Sequence, residues 1–150
     1  RWNKLQTMKT KCFKTVIVKI AIMMLFFPNL HAEKKFFNEG KILFENKKFD
    51  EAKIKFEKDI VFNPKNENSY LYLAKIFNKK EDNSEEEKNL KTVVLLNPKN
   101  EEAVYHLALL SIKRSNYEKS EKLVKKFKSI CVKLCYLEKE LKTKLQNSLK

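Results

Sequence analysis

The run Asn-Pro-Lys-Asn-Glu at 63–67 recurs at 97–101, an offset of 34 residues. A period of that length means that one supersecondary unit is copied along the chain, and that each copy buries its apolar face against its neighbours. Aligned on the offset, residues 36–43 match 70–77 and 104–111, and residues 52–56 match 86–90 and 120–124, which gives three copies. Within each copy the apolar residues fall at helical spacing. Phe36, Gly40, Leu43 and Phe44 form one face, and Ala52, Phe56, Ile60 and the neighbouring Val61 form another. Small residues recur at Gly40, Ala74 and Ala108, where a first helix must approach its partner closely. Pro64 and Pro98 lack the N–H that helix continuation needs and end each second helix, after which Asn66 and Asn100 stand ready to cap the next. The polar stretch 78–83 reads as a turn, and Ser84 with Glu87 has the form of a capping box. Gly40 is the only glycine, which excludes glycine-rich phosphate loops and disfavours turns needing positive φ, so the expected fold is all-α.

The pattern aromatic, Leu, small residue, then Ala and Phe, then Pro resembles the tetratricopeptide repeat (TPR) family. The second copy supplies Tyr70, Leu73, Ala74, Phe77, Leu90 and Pro98; the first supplies Phe36, Gly40, Leu43, Ala52, Phe56 and Pro64, with Glu39 where Leu is usual. The third supplies Leu107, Ala108, Ser120 and Val124 but lacks the closing proline. Glu86 and Asp59 stand where small residues are typical, which suggests looser helix contacts there. The resemblance implies a right-handed superhelix of three helix-turn-helix repeats at 33–66, 67–100 and 101–132. Residues 133–150 follow as a C-terminal capping helix, with Leu134, Leu137, Leu141, Leu145 and Leu149 as its apolar stripe.

Residues 1–32 have a different character. They hold six basic residues and no acidic one, and the apolar run 16–27 precedes Ala32. This reads as a signal peptide cleaved after Ala32, with residues 1–7 as an upstream extension before Met8 and with export to a bacterial periplasm. The alternative is an uncleaved segment anchoring the chain to the inner membrane, although the apolar run is twelve residues long and contains Lys19, against the about 20 apolar residues of a span. The whole chain carries +14, of which six charges would leave with residues 1–32. Nucleic acid is therefore a minor expectation.

Two histidines and three cysteines leave little for a zinc site or a nucleophile and base pair, so no catalysis, metal or cofactor is expected. His106 reads as a surface or packing residue, and the run Glu85, Glu86, Glu87 as a solvated helix N-terminus. Cys131 and Cys135 could form a disulfide if the helix ends there, or remain free thiols.

In TPR proteins the first helices of successive pairs line a concave groove that holds a peptide. The resemblance, with helical phase, implies a groove formed by Phe37, Lys41, Phe44, Leu71, Lys75, Asn78, Tyr105, Leu109 and Ile112. Several of these could instead pack on neighbouring helices. The basic-asparagine constellation by which some cytosolic members clamp a terminal carboxylate is absent from these positions. The expected role is a non-enzymatic scaffold in the cell envelope that binds a peptide or protein with apolar and acidic side chains. The alternative is electrostatic binding of anionic lipid, cell-wall polymer or nucleic acid.

Overall fold

The computed structural model describes residues 33–149. The proposed signal segment, its cleavage point and the upstream extension lie outside the described residues. Among those described, the chain forms three antiparallel helix pairs and a terminal helix: α1 (Glu33–Glu45), α2 (Phe49–Phe62), α3 (Glu67–Lys79), α4 (Asn83–Leu96), α5 (Glu101–Lys113), α6 (Tyr117–Ile130) and α7 (Glu138–Ser148). No described helix is long and apolar enough to cross a membrane.

The turn inside every pair has the same geometry. Lys47, Glu81 and Ser115, spaced by the repeat, take φ of 60°, 59° and 54°. The following N–H groups of Lys48, Asp82 and Asn116 return to the carbonyls of Leu43, Phe77 and Ser111 at 2.9, 3.0 and 3.0 Å. This is the Schellman closure, in which one left-handed residue lets the chain reverse while satisfying the last helical carbonyls. The near absence of glycine did not prevent these turns; three residues with side chains occupy a conformation that glycine adopts without steric cost. Replacing Lys47, Glu81 or Ser115 by Gly is expected to stabilise the domain by about 0.5–1 kcal/mol each. Lys91→Gly, inside a helix, is expected to cost about 1 kcal/mol. Urea denaturation of the full chain reads both.

The starts of α3, α4, α5 and α6 are capped by side chains. Asn66 and Asn100 accept from the N–H groups of Asn68 and Ala103 as expected. The capping box expected at Ser84 and Glu87 does not form. Asp82 caps α4 instead, accepting from Ser84 and Glu85, because α4 begins at Asn83, before Ser84. The ends of the second and third repeats are then tied by glutamates at equivalent positions, Glu67 and Glu101. Glu67 accepts from Asn97 Nδ2 at 2.8 Å and Asn100 Nδ2 at 3.2 Å. Glu101 accepts from the backbone of Leu134 at 2.8 Å and Lys133 at 3.0 Å, fixing the chain where a closing proline is missing.

Packing divides into clusters at the joints between helices. Between the first pair and α3, Ala52, Phe56, Leu73 and Ile76 are sealed, and a Cβ added to Gly40 would meet the buried Phe56 ring at 2.8 Å, so the small residue is a packing requirement. Leu71, Ala74, Leu90, Val93, Ala103 and Leu107 join the second pair to α5. Val104, Ala108, Val124 and Phe127 join the third pair to Leu141 and Leu145 of α7. The capping helix is shorter than expected, beginning at Glu138; Leu134 and Leu137 still pack against this cluster from the segment before it, and Leu149 is 54% exposed. Ahead of α7, Cys131 and Cys135 are disulfide-bonded across a Cα–Cα distance of 5.2 Å, since α6 stops at Ile130 and the intervening residues bend.

The two acidic residues at small-residue positions are not in loose contacts. Asp59 is fully buried; its Oδ2 accepts from Ser69 Oγ at 2.5 Å and Asn66 Nδ2 at 2.7 Å, which locks α2 to the start of α3. Nor is the 85–87 run simply solvated. Glu86 is 3% exposed, and Glu87 pairs with Lys119 at 2.5 Å, with Lys91 at 2.9 Å and with Arg114. The Lys119 and Lys91 hydrogen bonds hold the Glu87 carboxyl at about 2, below its ordinary 4.5. A depressed folded-state pKa gives stability that is present above 4.5 and is lost as pH falls toward 2. Glu87→Gln is therefore expected to cost about 2 kcal/mol at neutral pH, and the gap from wild type should close as pH falls through that window. Acid titration of the urea midpoint in both proteins measures it.

Candidate functional site

The first helices of the repeats are linked side chain to side chain along one face. The Tyr72 ring on α3 meets Phe37 and Phe44 of α1 at centroid distances of 5.8 and 5.1 Å. Lys75 on the same helix pairs with Glu102 of α5 at 2.7 Å, and its ammonium lies 5.0 Å from the Tyr72 ring centroid. Between these links a cavity of about 200 Å³ is lined by Phe44 from α1, Ala74, Lys75, Asn78 and Lys79 from α3, Glu86 and Leu90 from α4, and His106 from α5.

Of the expected groove residues, Phe44, Lys75 and Asn78 line this cavity, and Phe37 lies next to them through Tyr72. Lys41 is exposed and pairs with Glu45 at 3.8 Å. Leu71 is a correction: it is 6% exposed and packs among Ala74, Leu90, Val93, Ala103 and Leu107, so it joins repeats and offers no binding surface. Tyr105, Leu109 and Ile112 are half-buried against the cluster that holds Leu141 and Leu145, so much of their surface is taken by the terminal helix. Burial and then a hydrogen bond to Glu140 push the Tyr105 phenol up to about 12, leaving it neutral.

Tyr72 and His106 are the residues that the sequence reading missed. Each lies one residue beyond an expected groove position, which is about 100° around a helix. A polar or aromatic residue beside a sealed Leu71, and beside a Tyr105 committed to the cap, is the signal that could have found them. Burial holds the His106 imidazole below its ordinary pKa and Lys75 adds to this, against the opposing pull of Glu102, so the ring is neutral at neutral pH. Glu86 was also missed. Its Oε1 accepts from Asn78 Nδ2 at 3.1 Å, Oε2 has no hydrogen-bond partner among the described residues, and burial pushes the carboxyl up. Among the described residues no group of His, Cys, Asp or Glu could hold a metal ion.

This arrangement can bind and orient a side chain, since it combines aromatic walls, cations and a buried carboxyl around a small opening. The scaffold that carries it matches solved TPR structures. The first TPR of Spaghetti (RPAP3), bound to the HSP90 peptide SRMEEVD, superposes with a TM-score of 0.71 at 16% identity, covering 83% of this chain and 99% of that one. The fold is that of a TPR domain. The Yersinia enterocolitica type III secretion translocator chaperone SycD gives a TM-score of 0.72 at 12% identity over 85% of this chain and 90% of that one. A TPR protein from Parabacteroides merdae gives 0.69 at 22% identity over 85% of this chain and 50% of that one. No protein-family model and no curated protein matches the sequence.

Proposed function

We propose that this TPR domain is a non-enzymatic interaction module that holds a peptide segment of a partner protein against the face formed by α1, α3 and α5. The observation that carries the reading is the cavity shared by Phe44, Lys75, Asn78 and His106, which draws on all three repeats. Beside it, the Phe37, Phe44 and Tyr72 rings offer apolar anchors, and Lys41, Lys75 and Lys79 offer charge-assisted contacts to carboxylates. Peptide-bound neighbours support it: the Spaghetti domain carries an HSP90 peptide, and SycD has been solved with a peptide of the translocator YopD. The proposed site of action is the periplasm of a bacterium, after removal of residues 1–32 as a signal peptide. The Cys131–Cys135 disulfide is in keeping with an oxidising compartment.

Selection of random peptides on the full chain tests the reading. Peptides carrying bulky apolar and acidic residues are expected to be enriched. Lys75→Glu with Lys79→Glu should weaken them about tenfold or more, equivalent to about 1.4 kcal/mol. Val61→Ser with Leu95→Ser, at the exposed ends of α2 and α4, should leave them unchanged. Equal loss in both variants would contradict the assignment of the face.

A further inference from the structure

We infer that the cavity lined by Glu86 receives a neutral carboxamide side chain, glutamine or asparagine, from the bound segment. This deepens the preceding reading and rests on it. Glu86 occupies the repeat position that is Ala52 in the first copy and Ser120 in the third, so of the three copies the middle one places a carboxyl group at this position, where it lines the cavity. The side chain is 97% buried, at 3% exposure, and lines the cavity. Asn78 Nδ2 donates to Oε1 at 3.1 Å, while Oε2 has no hydrogen-bond partner among the described residues. A buried carboxyl oxygen without a partner is destabilising, and an entering hydrogen-bond donor would satisfy it.

Charge selects among donors. A lysine or arginine side chain would enter between Lys75 and Lys79, with Lys113 also acting on Glu86, and would meet like charge. A carboxylate can pair with Lys75 and Lys79 on the face, but within the cavity it would meet Glu86 itself. A carboxamide meets neither objection and suits both protonation states. Its N–H donates to an ionised Oε2, and its carbonyl can in addition accept from a protonated one. The methylene groups of such a side chain would lie against Phe44, Ala74 and Leu90. At about 200 Å³ the cavity is smaller than the about 300–1,000 Å³ of whole-ligand pockets and suits one side chain of a longer segment.

Titration of the isotope-labelled full chain with butyramide, butyrate and butylammonium, followed by nuclear magnetic resonance, tests this. Butyramide is expected to give saturable shifts at the backbone amides of Ala74, Asn78, Leu90 and His106, several-fold tighter than the two charged probes. It should also move the Glu86 carboxyl carbon signal in the wild-type protein, a readout that needs no variant. Glu86→Leu should abolish the butyramide response if it folds. Equal or tighter binding of a charged probe, or no saturable response to butyramide, overturns the carboxamide assignment. If butyramide fails while selected peptides still depend on Lys75 and Lys79, only this assignment falls. If butyramide binds while no peptide is selected, the peptide-binding reading falls and the cavity's preference stands.

Discussion

Phe56→Ala is expected to remove about 3–5 kcal/mol from the folded domain, a large share of the about 5–15 kcal/mol that a domain of this size retains. Phe56 is 0% exposed, and its ring is the point at which the first two repeats meet. It stacks on Tyr72 at 4.9 Å and 16°, tilts against Phe37 at 5.9 Å, and fills the space over Gly40 that a Cβ would invade. The aromatic cluster on the proposed binding face therefore rests on this buried ring. Removing it leaves a cavity beneath Tyr72, so the urea midpoint should fall by on the order of 2 M. Phe62 provides the comparison. It also stacks on an aromatic partner, Phe36, at 5.6 Å, but is 57% exposed, and Phe62→Ala should cost less than about 1 kcal/mol. Equal effects would mean that the first repeat is not packed as described.

The terminal helix should have an effect of similar size by a different route. Leu141 is 0% exposed and Leu145 8%, and together they close the cluster of Val104, Ala108, Val124 and Phe127. A stacked repeat leaves an apolar face on its outer side, and α7 covers that face of the third pair. Leu141→Ala with Leu145→Ala is expected to cost about 4–6 kcal/mol, since each buried Leu lost in this way costs about 2–5 kcal/mol and the two share neighbours. Exposure of Phe127, Leu109 and Ile112 should also make the protein self-associate as concentration rises. Leu149→Ser, at a half-exposed position, should do neither. Equilibrium denaturation with light scattering separates these outcomes.

Much of the fold was legible because a repeat multiplies weak signals. The Asn-Pro runs marked the ends of α2 and α4, Asn66 and Asn100 marked the starts of α3 and α5, and the small residues marked the close approaches. The turns were less legible. A left-handed residue is anticipated from glycine, and here Lys47, Glu81 and Ser115 carry it without that signature. Part of the site was misread because first helices pack on several sides, so their apolar stripe is wide and its phase is blurred. Leu71 and Tyr72 differ little in apolar character, yet one is sealed between repeats and the other carries ring contacts to α1. Asp59 and Glu86 were misread for a general reason: charged side chains are seldom buried unless paired. Among the described residues each is hydrogen-bonded through one carboxyl oxygen, Asp59 by Ser69 and Asn66 and Glu86 by Asn78, and the other oxygen of each has no partner.

Hydrogen exchange of the full chain, with and without a selected peptide, tests the central claim most directly. Bound peptide should slow exchange in 72–79 of α3 and 102–106 of α5, the segments that carry Lys75, Asn78, Glu102 and His106, and leave the exposed C-terminal ends of α2 and α4 unchanged. Protection concentrated at Val61, Phe62, Leu95 and Leu96, with none on α3 and α5, would contradict the account.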